Sequence, residues 1–315
     1  MSILSKNIFI LTGAGISKES GINTFREEDG LWENYKIEDV CTPDAFKRNP
    51  DIVNNFYNER KSQLESPQIK PNQAHLSLVE FERNCSGEFL IVTQNIDNLH
   101  ERAGSKKILH MHGSLESAYC MYCNQEVKLN FNLSTSYQCK NCLNKGMVRV
   151  DVVWFGEQPK YLEEIYNFLE KTEVFISIGT SNNVYPAAGF IDFLNQLNKK
   201  ILMYEFNLEK TIKTSQFDQT YFGPATQTIP RFVKNLTKVL YENGHEVVYD
   251  LDHRDIDGIL LTDPRGRQES LSSFNHKDIQ RYINLVNPNV FVVQRISKLF
   301  LLQDRPLASK NRSKN

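Results

Sequence analysis

Long apolar runs are missing from this chain: no stretch approaches the roughly 18 residues that a membrane-spanning helix needs, so no membrane anchor is expected. A dominant charge is missing too. The 37 basic and 38 acidic residues leave a formal net charge of -1, which supplies no global field for a phosphate backbone, and nucleic acid is not expected as a partner. The opening MSILSKNIFILTGAG shows neither a charged leader nor a small-residue cleavage site, and the protein is expected to be unexported and cytoplasmic. Cysteine is scarce. Of six, four fall in two C-x-x-C pairs, which fits a reducing compartment, and the remaining two, Cys41 and Cys85, are read as ordinary buried or half-buried thiols. No internal repeat is evident.

What is present is an alternation. Short β-rich apolar runs, NIFILT (7–12), EFLIVTQ (88–94), EVFISIG (173–179) and KILMYEF (200–206), each end in glycine or polar residues. Helical patterns lie between them, PNQAHLSLVEFERN (71–84), YLEEIYNFLEKT (161–172) and PAAGFIDFLNQLNKK (186–200). Near-continuous apolar strands alternating with helices predict an α/β fold with a doubly wound parallel sheet covered on both faces. Ligands bind such sheets at the carboxyl ends of the strands, and those ends carry GAGIS, QNIDN, GTSNN and FNLE. Two segments interrupt the alternation, roughly 25–65 and 116–150, and together they are expected to form a second, smaller domain. After about residue 240 the pattern changes and no catalytic constellation appears; His245, His253 and His276 are read as surface or packing residues.

Cys120, Cys123, Cys139 and Cys142 form C-x2-C-x15-C-x2-C, which delivers four thiolates to the corners of a tetrahedron from two short knuckles. One structural zinc is expected. Four thiolates leave no open position on the metal, so the chemistry has to lie elsewhere. Glycines 13, 15 and 21 in LTGAGISKESGINTFR depart from the G-x-G-x-x-G spacing and are compatible either with a tight strand-to-helix turn or with a loop that lets backbone N–H groups approach a pyrophosphate. TQNIDNLHERAG (93–104) places the Asn95 amide and the Asp97 carboxylate just past a strand end, where they can orient a water, a ribose or a carboxamide. HMHGSL (110–115) offers two histidines, of which one is expected to work as a base near neutral pH. FYNERK (56–61) sets Tyr57 and Arg60 one helical turn apart, either a solvated face or a pair that jointly holds an anion.

GAGIS, TQNID, HMHG, the paired C-x-x-C knuckles, VVWFGE (152–157) and GTS (179–181), in this order, resemble the sirtuin family, Sir2-type NAD-dependent protein deacylases. The resemblance spans about residues 5 to 240 and is strongest to the bacterial class III group, which carries Y-x-x-R where Tyr57 and Arg60 stand. It implies a Rossmann-type large domain with a smaller zinc-ribbon and helical domain, the ribbon at 116–150, inside a deacylase domain of residues 1–240, followed by an extension at 241–315 of unknown role.

The resemblance also implies roles. Gly13, Ala14, Gly15 and Ile16 with Asn23, Phe25, Arg26 and Trp32 would line an NAD site; Gln94, Asn95, Ile96 and Asp97 would hold the nicotinamide ribose and carboxamide; Gly179, Thr180 and Ser181, then Asn207, Leu208, Glu209 and Ala225, would meet phosphates and adenosine. His112 would be the catalytic base, assisted by Asn95 and Asp97, and Val152, Phe155 and Gly156 with Tyr57 and Arg60 would bind the acylated substrate. The implied activity is transfer of an acetyl, succinyl or malonyl group from lysine to ADP-ribose with release of nicotinamide. NAD hydrolysis or ADP-ribosyl transfer on the same fold is the alternative. The implied partners are acyl-lysine proteins or peptides. The chain departs from the family at Val150, where many members place a proline, and this removes no catalytic group.

Overall fold

The computed structural model describes residues 3–22, 31–32 and 35–237, and beyond them the backbone of five strands between residues 245 and 304. The chain divides into two compact units, Met1–Leu236 and Thr237–Asn315. The first runs β1 (Ile8–Thr12), a short hairpin of β2 (Leu31–Trp32) and β3 (Tyr35–Lys36), helices α1 (Ile37–Val40), α2 (Pro43–Arg48), α3 (Pro50–Glu65) and α4 (Gln73–Asn84), then β4 (Phe89–Thr93), α5 (Leu99–Ala103), β5 (Ile108–His110), β6 (Gly113–Cys120), β7 (Glu126–Lys128), β8 (Val148–Val152), α6 (Leu162–Lys171), β9 (Val174–Ile178), α7 (Gly189–Gln196), β10 (Leu202–Asn207), β11 (Gln219–Phe222) and α8 (Ala225–Thr237).

Six of these strands form one parallel sheet in the order β11-β10-β9-β1-β4-β5. The three central strands are fully buried, and their residues alternate between two cores. Ile8 and Ile10 join Ile91 and Ile176 under α4 and α8, while Phe9 and Leu11 join Val92 and Phe175 under α6 and α7. Each such side chain contributes roughly 1.5–3 kcal/mol on burial, and a one-residue slip would exchange the two faces, so the register is held by packing. From β1 the chain proceeds to β4 and β5 on one side and later to β9, β10 and β11 on the other. The loops leaving β1, β4 and β9 therefore diverge, and a crevice opens at their carboxyl ends.

The smaller domain packs α1, α2 and α3 on a three-stranded antiparallel sheet, β7-β6-β8, around a core that includes Phe46, Phe56, Tyr57, Leu115, Val150 and Trp154. Val150 continues strand β8 opposite Ala118. Capping explains where its helices start: Thr42 accepts the Ala45 N–H at 3.0 Å ahead of Pro43, and Asn49 accepts the Ile52 N–H at 3.2 Å ahead of Pro50. Helix α3 thus runs unbroken through Tyr57 and Arg60. The second unit contains β12 (His245–Asp252), β13 (Leu260–Thr262), β14 (Gln268–Ser270), β15 (Val290–Arg295) and β16 (Lys298–Asp304), with β12-β16-β15 antiparallel and β13 paired to β14. His245 opens β12, whereas His253 and His276 lie outside the described residues. Among the described residues no helix is long and apolar enough to cross a membrane.

Candidate active site

A cleft of about 660 Å³ lies at the crevice and is lined from both domains of the first unit. One wall is main chain. A Cβ on Gly13 would sit 2.8 Å from the Gly179 carbonyl oxygen, one on Gly15 would sit 2.6 Å from the Gly179 Cα, and one on Gly179, at φ +60°, would sit 2.5 Å from the Ile16 nitrogen. Backbone lies directly on backbone here, so only glycine fits. The Gly13 and Gly15 N–H groups donate to the carbonyls of Ile178 and Gly179 at 3.0 and 2.8 Å, which locks the loop after β1 to the end of β9. Both sequence readings of these glycines are thereby narrowed: they serve contact between two strand ends as much as approach to a ligand.

Asn95 and Asp97 follow β4 and are both buried. The Asn95 amide donates to the Gly13 carbonyl and to Ser17 Oγ, each at 3.2 Å, and Asp97 accepts from Ser17 Oγ at 2.9 Å and from the Leu99 N–H at 3.0 Å. Burial pushes the Asp97 carboxyl upward, and these two donors oppose the shift. The Gln94 amide donates to Thr180 Oγ1 at 2.9 Å, and the Asn207 amide to the Thr180 carbonyl at 2.8 Å, so the ends of β4, β9 and β10 are tied across the crevice.

The two histidines of HMHG separate cleanly. His110 Nδ1 meets the Asn95 carbonyl at 3.0 Å and Nε2 meets Glu101 at 2.6 Å, so both ring nitrogens donate. Burial disfavours its charge, but the Glu101 ion pair outweighs burial and its pKa ends up raised. His112 Nδ1 donates to the Gln94 carbonyl at 3.1 Å, burial lowers its pKa, and Nε2 is left with a lone pair in the cleft. Their surroundings push the two rings in opposite directions, His112 toward the neutral form and His110 toward the cation. Gly113 follows at φ +81°, and a Cβ there would lie 1.9 Å from the Asp151 carbonyl oxygen, so the position requires glycine.

The opposite wall is side chain. Tyr57 and Arg60 line the cleft and are both buried, which rules out the solvated-face reading. The phenol oxygen accepts from the Trp154 indole at 2.9 Å. The guanidinium lies 4.1 Å from the Phe56 ring centroid and donates to the Phe56 carbonyl and to Glu59, each at 2.9 Å. Val152, Phe155 and Gly156 line the same cleft; the Val153 N–H donates to the His112 carbonyl at 2.9 Å, so the segment after β8 is tied to the histidine.

Gly13, Ala14, Gly15, Gln94, Asn95, Ile96, Asp97, Gly179, Thr180, Ser181, Asn207, Leu208 and Glu209 all line the cleft. Ile16 and Ala225 instead bury their side chains in the core beneath the sheet. Asn23, Phe25 and Arg26 lie outside the described residues, and of Trp32 only the backbone is described. The sequence reading passed over Trp154, although its motif was in hand, and Arg149, whose buried guanidinium stacks 3.2 Å from the Trp154 ring centroid and pairs with Glu157 at 2.7 Å. It also missed Glu205, a buried carboxylate that accepts from Thr211 and Thr214 at 2.6 Å and from Asn182 at 3.0 Å, thereby fixing the loop after β10. A lone carboxylate inside an apolar strand was the signal available.

The four paired cysteines come together with all sulfurs within 4.8 Å of one another. Cys120 and Cys142 sulfurs are 3.6 Å apart and those of Cys123 and Cys139 are 3.7 Å apart, close to the edge of about 3.8 Å that a tetrahedron of 2.3 Å zinc–sulfur bonds requires. Each knuckle closes on a left-handed residue, Asn124 at φ +56° and Leu143 at φ +63°. The residues fit a closed, structural zinc site.

Comparison with known proteins agrees with this geometry. The model of the Sir2 family matches residues 13–186. A protein of Bdellovibrio bacteriovorus named NAD-dependent protein deacylase is 54% identical over 73% of this chain and 96% of its own length, and one of Vibrio vulnificus with the same name is 47% identical over 77% of this chain and 98% of its own. A solved Sir2 homologue in complex with ADP-ribose superposes with a TM-score of 0.69 at 34% identity, covering 76% of this chain and 97% of that one. A Sir2 complex with a p53 peptide and NAD+ superposes at 0.62 with 29% identity, over 73% and 93%. With the glycine-locked crevice, the neutral histidine and the four-thiolate site in place, these matches lead to one conclusion: the chain belongs to the Sir2 family.

Proposed function

We propose that the protein is an NAD-dependent protein-lysine deacylase that accepts acetyl-lysine and also the acidic acyl groups succinyl and malonyl. The observation that carries the reaction type is His112, neutral, oriented through Nδ1 by the Gln94 carbonyl, and one loop away from the buried Asn95 and Asp97. NAD, when bound, supplies the ADP-ribosyl acceptor for the acyl group and nicotinamide as leaving group. The main-chain wall of Gly13, Gly15 and Gly179 leaves room for a dinucleotide to lie close, and Asn207, Leu208 and Glu209 extend that wall. Asn95 and Asp97 present a fixed amide and carboxylate where a cationic sugar would need them. His112 Nε2 takes the proton of a ribose hydroxyl, and the Gln94 carbonyl holds the ring in the tautomer that can do so.

The support for acidic acyl groups is the pair Tyr57 and Arg60 on the buried wall. Arg60 already holds an anion, the half-exposed Glu59 carboxylate. Arg60 is itself buried, but the Glu59 carboxylate is half exposed and screened by water, so an acyl carboxylate entering the cleft can compete for the guanidinium. A charge-assisted bond contributes about 10-fold to 150-fold in discrimination. Acyl-lysine peptides incubated with and without NAD and followed by mass spectrometry should lose acetyl and succinyl groups only with NAD, and Arg60→Met with Tyr57→Phe should lose most desuccinylation while keeping most deacetylation. Nicotinamide release with no peptide deacylation would favour NAD hydrolysis or ADP-ribosyl transfer instead. Equal loss on the two acyl groups would reject the specificity and leave the deacylase standing. The substrates are proteins or peptides, and the formal net charge of -1 supplies no general field for nucleic acid.

A further inference from the structure

Cys41 lies between α1 and α2, is 4% exposed, and lines the cleft beside Tyr57, Arg60 and Trp154. Its main chain is fixed on both sides: its N–H donates to the Ile37 carbonyl at 2.8 Å, and its carbonyl accepts the Phe155 N–H at 2.9 Å. The sulfur therefore stands at a set position where the acyl wall meets the segment after β8.

The direction of the Tyr57 hydroxyl follows from the donors around it. An indole N–H can only donate, so Trp154 occupies a lone pair of the phenol oxygen, and the single phenol proton must point elsewhere. It points at Cys41 Sγ, 3.5 Å away. Sulfur is a weak acceptor. Burial pushes the Cys41 thiol up to about 11, so near neutral pH the sulfur carries no charge that would repel an anion beside Arg60.

We propose that Cys41 sets acyl selectivity by holding the Tyr57 hydroxyl proton on a weak sulfur acceptor, from which the carboxylate of a succinyl or malonyl group can take it at little cost. The inference rests on the reading that Tyr57 and Arg60 receive an acidic acyl group. With acetyl-lysine the hydroxyl keeps its hydrogen bond to sulfur; with an acidic acyl group it turns to donate to the carboxylate. Cys41 is then a specificity residue that acts through Tyr57, and the strength of its acceptor tunes the ratio of the two activities.

The experiment measures kcat and KM at saturating NAD on acetyl- and succinyl-lysine peptides of one sequence. The enzymes are wild type, Cys41→Ala, Cys41→Ser, Tyr57→Phe and the Cys41→Ala, Tyr57→Phe double variant. Removing the acceptor leaves the phenol proton unpaired until a carboxylate arrives, so Cys41→Ala should raise the succinyl-to-acetyl ratio of kcat/KM by about fivefold, mainly through KM. Cys41→Ser supplies a stronger acceptor and should lower the ratio below that of wild type. In the Tyr57→Phe background Cys41→Ala should leave the ratio where it was, because the proton it acts on is gone. A merely structural role would lower both activities together and would not depend on the hydroxyl. Thermal melting checks folding, and Cys41→Gly removes the same acceptor should the alanine variant not fold. A ratio that stays level or falls in Cys41→Ala, that rises in Cys41→Ser, or that rises equally without the phenol hydroxyl, overturns this inference alone. A wild-type enzyme that leaves succinyl-lysine intact overturns the reading beneath it as well.

Discussion

The side of the cleft proposed to hold the nucleotide is closed by main chain, with Gly13 and Gly15 pressed against Gly179, while the side proposed to hold the acyl group is closed by the side chains of Cys41, Tyr57, Arg60 and Trp154. The first wall has no atoms to spare, since any added carbon meets backbone. The second can change its chemistry one residue at a time without moving the chain. A fold built this way can keep one cosubstrate and vary the group it removes. The comparison holds only if the side-chain wall has a firm scaffold of its own, and that is where the zinc site enters.

Cys120 and Cys139 belong to the same buried cluster as Tyr57 and Trp154. Zinc sites of this kind are linked to folding by apparent free energies on the order of 10 kcal/mol. Cys139→Ala is therefore expected to have the largest effect, loss of the bound metal together with a marked drop in melting temperature, read by elemental analysis and calorimetry. A variant that melts like wild type with no zinc would show that the acyl wall does not depend on the metal.

The next largest effect is expected at the main-chain wall. Gly179→Ala adds a Cβ 2.5 Å from the Ile16 nitrogen and 2.7 Å from the Gly15 backbone, at a left-handed φ of +60°. The left-handed conformation alone costs about 1–2 kcal/mol, and the overlap must be relieved by moving a strand end. NAD binding measured by calorimetry should be lost or weakened by orders of magnitude. If Gly179→Ala binds NAD normally, the wall is softer than its contacts imply and the contrast between the two halves fails.

The same contrast explains what was legible in the sequence. Main-chain geometry leaves a mark in residue type, because a glycine at a strand end has few other reasons to be there, and the paired C-x-x-C spacing encodes its tetrahedron directly. The central strands were legible for a similar reason, being apolar throughout. The short edge strands β5 and β11 were not, since three or four half-buried or exposed residues carry no distinctive period. Helix α7 stops at Gln196, short of the expected 200, where Leu197 turns extended. Side-chain walls were harder still. Tyr57 and Arg60 were visible as a pair, but their burial, the Trp154 bond and the part of Cys41 depend on α3 packing against β8 and the loop after it, which no local pattern records. Arg149 and Glu157 look like surface charges in the sequence and turn out to clamp Trp154 from below.

His112→Ala tests the chemistry without disturbing either wall, because among the described residues the ring hydrogen-bonds only to the Gln94 carbonyl. The variant should fold and bind NAD, while turnover falls on the order of 100-fold or more, as is usual for a general base. Turnover near the wild-type level would remove His112 from the mechanism.

The smallest expected effect is one of pH, and it separates the two histidines that stand two positions apart. As the proposed base, His112 works only as the neutral ring, and burial, opposed by the Gln94 carbonyl, places its pKa below its ordinary value of 6.5. The midpoint of the acid limb of activity should thus fall below pH 6.5. His110 moves the other way. Burial disfavours its cation, yet Glu101 outweighs burial and raises the pKa, so the stability this pair contributes is present at low pH and is lost as pH rises through that raised value. Glu101 is partly exposed, which keeps the contribution modest. Glu101→Gln should accordingly lower the pKa of His110 while the acid limb of kcat/KM, set by His112, stays in place. An acid limb at or above 6.5, or one that shifts with Glu101→Gln, would mean that the titrating group in turnover is His110 or the carboxylate beside it, and the assignment of the base would have to move by two residues.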